Sequence, residues 1–435
     1  MKQFAEERYG ATDFTKSFYV SEETGKIVAR STASKLSQRS ERGLVLLLRD
    51  LFLPQGYPES VTEDYLEYQL FDTLQAFASS ILGSLSAQAV LTGMGVGDAS
   101  ATVVGATMTW LLKDGTGMVG RILFAWARGT QLDSDCKRWR LFADCLNDVS
   151  FFVDLLAPHF QTALLPLMCL SSLFRSIVGV AGGATRAALT QHQAIRNNLA
   201  DVSAKDGSQE TLVNLSALLC SLTIVPVVAG KTTLIWFLFI LLTSCHLLAN
   251  YRAVRALRMN TFNRSRFQLC VQHYLATGCV PSVQQINLAE PIISPFFQVA
   301  QPLARHYGCS LQDVLNSPGS EYVVAVLECY RQKPYFLKLC QDSNGSNWLR
   351  ICIGVKKGAA TRDLLEAAWL AELLAAELRV STFGIQVQEV TLHERILNPA
   401  VTRNRFEVFE QLAAEQRWNF DNCLLNYGEW KISFL

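Results

Sequence analysis

Arg186, His192, Arg196 and Asn197 stand in a polar block, residues 179–214, that lies between the apolar runs 155–174 and 211–230. So dense a polar segment between two such runs is costly unless its groups are solvated, paired or used. Arginine keeps its proton inside a protein, so Arg186 needs a carboxylate, a phosphate or water. Gly179, Gly182 and Gly183 precede it and read as a break, which puts Arg186 in the first turns of a new helix. On that helix Gly179, Gly183 and Ala187 form the close-packing side. Arg186 is one position away, about 100° around the axis, and is free to face a cavity. Asp144 and Asp148 stand i, i+4 on a predicted helix over 138–156 and are its candidate partners, with Lys113 as a further counter-charge. The same carboxylate pair also suits a cation or a plain solvated face. Arg186, His192, Arg196, Asn197, Lys113, Asp144 and Asp148 thus form a candidate ligand-binding set.

The spacing of these residues does not describe a reaction. No Ser/His/Asp or Cys/His arrangement is visible, so no catalytic residue is assigned, and an enzyme is the less favoured reading. Gly230, Lys231, Thr232 and Thr233 imitate the end of a P-loop, but the position of its first glycine is Val225. Gly93, Gly95 and Gly97 lack the strand and the third-glycine spacing of a dinucleotide loop. The 12 cysteines are scattered without a C-x-x-C, which reads as reduced thiols packed as small apolar groups and indicates no metal site. No cofactor is indicated.

The elements that would carry this block are apolar. Half of the 435 residues are hydrophobic and 18% are charged, below the quarter usual in soluble domains. The mean hydropathy is +0.17. A net charge of +1 argues against the concentrated basic face that a nucleic-acid partner would need. Lys2, Glu6, Glu7 and Arg8 stand where a cleavable signal would need an apolar core, so secretion is not expected.

Along the chain, residues 1–43 read as a polar tail rich in loop formers such as Ser31, Ser34, Ser37 and Ser40. Residues 44–266 read as a helical membrane domain. Ser79, Gly83 and Ala87, then Gly97, Ala101, Gly105 and Thr109, place small residues at every fourth position, the pattern that lets helix backbones approach closely. Residues 211–230 and 232–250 are each long enough, at ~1.5 Å per residue, to cross a ~30 Å hydrocarbon core. Arg252, Arg255, Arg258, Arg264 and Arg266 follow, and favour the side from which the chain inserts, with anionic headgroups as possible contacts. Residues 267–330 read as a Pro-rich helical linker, and 331–435 as a small α+β domain. Its predicted parts are strands over 335–340 and 348–355, an amphipathic helix over 361–378 capped at Thr361, a strand over 383–390, a helix over 403–417 and a last strand over 430–435. The fold class is therefore mainly α: a multi-helix membrane-type bundle followed by a small C-terminal α+β domain.

Several motifs in this order resemble the Root UVB Sensitive family. They are Leu53-Pro54-Gln55-Gly56-Tyr57-Pro58 with Ser60 and Val61; Asp64, Tyr65, Tyr68 and Gln69; Lys113, Asp114, Gly115, Gly117 and Gly120; Asn147 and Asp148; and the run from Ala181 to Gln191. The resemblance covers residues 45–260. It implies an integral or membrane-associated helical protein. It implies no reaction, since none is established for the family. Plant members are tied to root ultraviolet-B responses, seedling development, auxin transport and vitamin B6 balance.

The leading expectation is an integral membrane protein that binds or moves a small molecule or lipid. The rival is a membrane-anchored scaffold whose C-terminal domain binds a protein partner. An enzyme acting on a membrane substrate comes third. Membrane lipid is an expected partner, and so is assembly with itself or another family member.

Overall fold

The computed structural model describes residues 2–8, 15–21, 27–31, 48–95, 103–293, 303–316, 323–341, 349–381 and 389–433. It divides into two compact units, Met1–Ala127 with Trp139–Leu257, and Arg128–Arg138 with Arg258–Leu435.

The first unit opens with strands β1 (Lys2–Arg8), β2 (Thr15–Val20) and β3 (Ile27–Ser31), paired antiparallel in that order. The polar tail expected there is thus partly sheet. Aromatic and β-branched residues such as Phe18, Tyr19, Ile27 and Val28 suit that state, and Phe4 meets Phe18 edge to face at 6.5 Å. Long helices follow: α1 (Tyr65–Gly93), α2 (Val103–Arg128), α3 (Cys136–Leu156), α4 (Leu164–Gln193), α5 (Leu199–Val228) and α6 (Thr232–Ala256). Pro158 ends α3 in a short 3-10 turn, as its sequence position requires. Four of these helices, α1, α4 with its preceding turn, α5 and α6, are long and apolar enough to cross a membrane.

The glycines of α4 do not break it. The helix is continuous from Leu164 to Gln193. A glycine inside a helix costs about 0.5–1 kcal/mol, and the burial of Ala181, Thr185 and Leu189 between and beyond these glycines offsets that cost. The break lies later, at 194–198, where Asn197 adopts φ 55°.

α1 packs along α5 and α6. Leu82, Leu85, Phe151, Leu155, Val228 and Phe239 form a buried cluster at the far end of these helices from the polar block. The close helix approach expected at 97/101/105/109 is displaced. Residues 97 and 101 lie outside the described residues, and Gly105 is exposed. The tight contact is at Gly117 and Gly120, where an added Cβ would come within 2.7 Å of Ser172 Oγ and 2.2 Å of Leu173 Cδ1 on α4. Much of the bundle's apolar surface stays uncovered, including Leu111, Met118, Ile122 and Trp126 on α2, Leu218 and Leu222 on α5, and Phe237 and Ile240 on α6.

The second unit is the α+β part, and it takes in the region expected to be a linker. Helices α7 (Arg264–Thr277), α8 (Val283–Ala289), α9 (Leu311–Leu315) and α10 (Val323–Cys329) belong to it. Ser282 with Gln285, and Ser310 with Asp313, close capping boxes at the starts of α8 and α9. Two parallel pairings went unforeseen. Strand β4 (Thr261–Asn263) pairs with β8 (Asn419–Leu424). Strand β5 (Leu303–Tyr307) joins the predicted hairpin of β6 (Tyr335–Gln341) and β7 (Leu349–Val355) in the order β5–β7–β6.

Helix α11 (Thr361–Ser381) starts where expected, with Asp363 accepting the amide of Ala360 at 2.8 Å. It is not amphipathic in effect. Leu365, Ala368, Trp369, Leu370, Leu373 and Leu374 are all buried, which makes it the central helix of this unit. Residues 383–388 of the expected strand lie outside the described residues, and its described end opens helix α12 (Glu389–Leu397). Helix α13 (Pro399–Glu415) matches the predicted last helix. Of the expected final strand, residues 434–435 lie outside the described residues, and the described part makes an isolated bridge, Lys356 to Ile432.

The arginines after α6 are partly spent inside this unit. Arg264 donates to the carbonyls of Leu425 and Asn426 at 2.7 and 2.5 Å. Arg266 is fully buried and pairs with Glu290 at 3.0 Å. Lys137 lies 3.2 Å from the same carboxylate, and Asn263 donates to it at 2.8 Å. Burial alone would raise the Glu290 carboxyl, but Arg266 and Lys137 outweigh that and hold it at about 2. Burial, the largest influence on Lys137, lowers its ammonium to about 8 against the opposing pull of Glu290.

Because the Glu290 value is depressed, the stability it contributes is present above the ordinary carboxylate pKa of ~4.3 and is lost as pH falls toward about 2. Glu290→Gln leaves two buried cations without their carboxylate and is expected to cost about 3–5 kcal/mol. Chemical denaturation of the full chain across pH 2–7 checks both points. The variant should lose stability at neutral pH and show a shallower acid decline.

Candidate functional site

A cavity of about 260 Å³ lies between α1, α4 and α5, with Arg140 of α3 in its wall. Helix periodicity builds it. On α4, Gly179 with Gly182 or Gly183, then Arg186, Thr190 and Gln193, recur at steps of three and four and share one face. An added Cβ at Gly179, Gly182 or Gly183 would meet nothing within 4 Å. The glycines therefore keep this wall bare and are not the close-packing side that the sequence pattern implied. Tyr68, Gln69, Asp72 and Gln75 come from the first turns of α1, and Asp206, Gln209, Glu210 and Val213 from the first half of α5.

Helix α5 divides its polar residues between two faces. Asp201, Lys205 and Gln209 recur every fourth residue and hold the segment before α1. Asp201 accepts the amide of Gln55 at 2.7 Å, Gln209 donates to the carbonyl of Phe52 at 2.6 Å, and Lys205 donates to that of Asp50. Asp206 and Glu210, one position on, both receive Arg186. Its Nε is 2.5 Å from Asp206, and its Nη1 donates to Glu210. Gln69 donates to the second oxygen of Asp206 at 3.3 Å.

The other wall is a second charge cluster. Asp72 accepts from Arg140 at 2.8 Å and from Tyr68 and Gln75, each at 3.2 Å. Arg140 also lies 3.6 Å from Asp144 of its own helix, which Asn250 donates to as well. His246 is fully buried between Asp148, at 2.8 Å from its Nδ1, and Gln75 Oε1, at 2.9 Å from its Nε2.

Of the predicted set, Arg186 lines the cavity and Asp144 adjoins it through Arg140. The expected pairing of Arg186 with Asp144 or Asp148 is replaced by Asp206 and Glu210, which the turn at 194–198 folds back beside it. Asp148 is bound to His246 instead and is buried, not a solvated face. His192 pairs with Asp64 at 3.0 Å. Arg196 and Asn197 form the turn itself, where Ser60 accepts from Asn198 at 3.1 Å and Val61 bridges Ala194. Lys113 is buried on α2 with its ammonium 4.3 Å from the Trp110 ring, outside the lining.

Sequence reasoning did not single out Asp72, Arg140, Gln193 or His246. The i, i+4 pair Arg140/Asp144 and a histidine inside the otherwise uncharged run 232–250 were the available signals. The lining holds Thr73 and Thr190 as hydroxyl groups and no Ser, Cys or His.

Two of the segments that shape this cavity, the start of α1 and the second half of α4, carry motifs of the family resemblance. A model described as the vitamin B6 photo-protection and homoeostasis domain matches residues 38–278, more than half of the chain, and one described as the Root UVB sensitive protein C-terminal region matches 279–434. The chain belongs to the Root UVB Sensitive family. It is 49% identical over 255 residues to RUS family member 1 of Dictyostelium discoideum, covering 58% of this chain and 48% of that protein. It is 44% identical over 290 residues to Protein root UVB sensitive 3 of Arabidopsis thaliana, covering 66% and 64%. The chloroplastic Protein root UVB sensitive 2 of the same plant is 32% identical over 246 residues, 56% of each chain. The matched part thus spans about half of the Dictyostelium relative and under two thirds of the first Arabidopsis one. No solved structure matches.

The observed pairing has a measurable signature. In double-mutant cycles, Arg186→Gln with Asp206→Asn should show a coupling of about 0.5–3 kcal/mol. Arg186→Gln with Asp148→Asn should show none. A coupling to Asp148 in place of Asp206 would contradict the geometry.

Proposed function

We propose that this chain is an integral membrane protein that binds a small polar solute in the cavity at one end of its helical bundle. The observation that carries the reading is the polar, glycine-walled cavity placed directly beside long apolar helices. Soluble monomers seldom leave contiguous apolar patches beyond a few hundred Å² uncovered, and exposed leucines, isoleucines and tryptophans recur along α2, α5 and α6. α1 and α5 are 29 and 30 residues long, about ten more than a hydrocarbon core requires. Their charge-free stretches begin at 73 and 211, one residue past the lining acids Asp72 and Glu210. With those stretches in the hydrocarbon, the cavity sits at the water-facing end. Arg252 and Arg255 lie at the same end of α6, which puts it on the side of insertion by the positive-inside rule.

Size and lining favour a metabolite over an acyl chain. The volume of about 260 Å³ falls below the ~300–1,000 Å³ clefts that take drug-sized ligands. The family description names vitamin B6, a small polar metabolite, and its vitamers belong in the first probe set. The scaffold reading has less support: within 331–435, Val408 and Trp430 are the large apolar side chains exposed among the described residues.

Alkaline carbonate should leave the full chain in the membrane pellet. In nanodiscs, one or more polar metabolites, vitamin B6 vitamers included, should raise the thermal midpoint in a concentration-dependent way. Gly182→Leu, which fills open space, should keep the unliganded midpoint and lose the shift. Release by carbonate would remove the membrane reading, and an unaltered shift in Gly182→Leu would remove the cavity reading.

A further inference from the structure

We infer that the solute of this cavity is an organic ammonium compound that also carries a hydrogen-bond acceptor, an inference that rests on the binding role proposed above. Charge balance is the first ground. Arg186 serves both Asp206 and Glu210, and Arg140 serves both Asp72 and Asp144. Two arginines therefore face four carboxylates, and the remaining pair nearby, His246 with Asp148, is closed on itself. A half-buried site with surplus negative charge is completed most simply by a cation.

Unfilled hydrogen-bonding groups are the second ground, and they are independent of the charge count. Gln193 lines the cavity, is 2% exposed, and its Nε2 has no hydrogen-bond partner among the described residues. A buried donor left empty costs about 1–3 kcal/mol, which an acceptor on the solute would recover. On the acidic side, the bonds to Asp72 all fall on Oδ1 and the bond to Glu210 falls on Oε2. Among the described residues, one oxygen of each carboxylate is left to receive an N–H donor.

An inorganic cation is the weaker candidate. Among the described residues no three His, Cys, Asp or Glu side chains converge in a way that would hold a metal ion. Apolar wall residues Val178, Leu189 and Val213, with the bare glycines, instead offer surface for a carbon skeleton. The arrangement fits a primary amine on a short organic frame that also bears a hydroxyl or carbonyl.

The test uses the full chain in nanodiscs and matched pairs that differ only in amine against hydroxyl: tyramine with tyrosol, and serinol with glycerol, plus inorganic phosphate. Calorimetric titration should show the amine of a pair binding about tenfold or more tightly than its alcohol. Glu210→Gln, at a half-exposed position, should keep the thermal midpoint and reduce that preference to below about threefold. Gln193→Leu should weaken both members of the pair alike. Equal binding within the pairs, or tighter binding of phosphate, overturns the amine assignment and leaves the cavity reading standing. Failure of every probe and of every polar metabolite tried on the wild-type chain overturns both.

Discussion

An arginine that cannot discharge fixes much of the first unit. Arg186 stands on the long helix Leu164–Gln193 with its guanidinium half-buried, and the nearest carboxylates in space lie 20 and 24 positions on, across a turn. Satisfying it requires α4 and α5 to fold back on each other in one register. That register then places Asp201, Lys205 and Gln209 against the segment carrying Phe52 and Gln55, which leads into α1. The cavity is what remains between three helices whose spacing is set by ion pairs on one side and whose wall is left bare by glycine on the other.

The second unit solves a similar problem in the opposite way. There Lys137 and Arg266 converge on one carboxylate, Glu290, with Asn263 and Asn287 filling further positions. The cations of that cluster surround the acid, whereas in the cavity the acids outnumber the cations. The contrast separates a buried charge cluster that holds a fold together from one that has capacity to spare.

Local pattern made a good part of this readable from residues alone. The hairpin of β6 and β7 was visible in its alternation and turn residues, and the end of α3 in Pro158. Arg186 drew attention because it is charged amid apolar sequence. What was hidden is non-local. A parallel pairing such as Thr261–Asn263 with Asn419–Leu424 spans more than half of the second unit's sequence and leaves no periodic trace. Partner choice was hidden for the same reason: Asp144 and Asp206 are equally acidic in a sequence, and only the turn at 194–198 decides which one Arg186 meets. The three glycines were misjudged because a helix held on its flanks tolerates residues that an isolated helix would not.

The two polar faces of α5 bear on mechanics as well as on shape. Lys205 and Asp206 are neighbours in sequence and so about 100° apart around the axis, yet one grips the backbone before α1 and the other grips α4. The helix acts as a shaft keyed on two sides. A rotation of the helix about its axis would disturb the Arg186 pairs on one side and the contacts to residues 50–55 on the other together. The cavity wall and the segment before α1 thus share one helix as their common support.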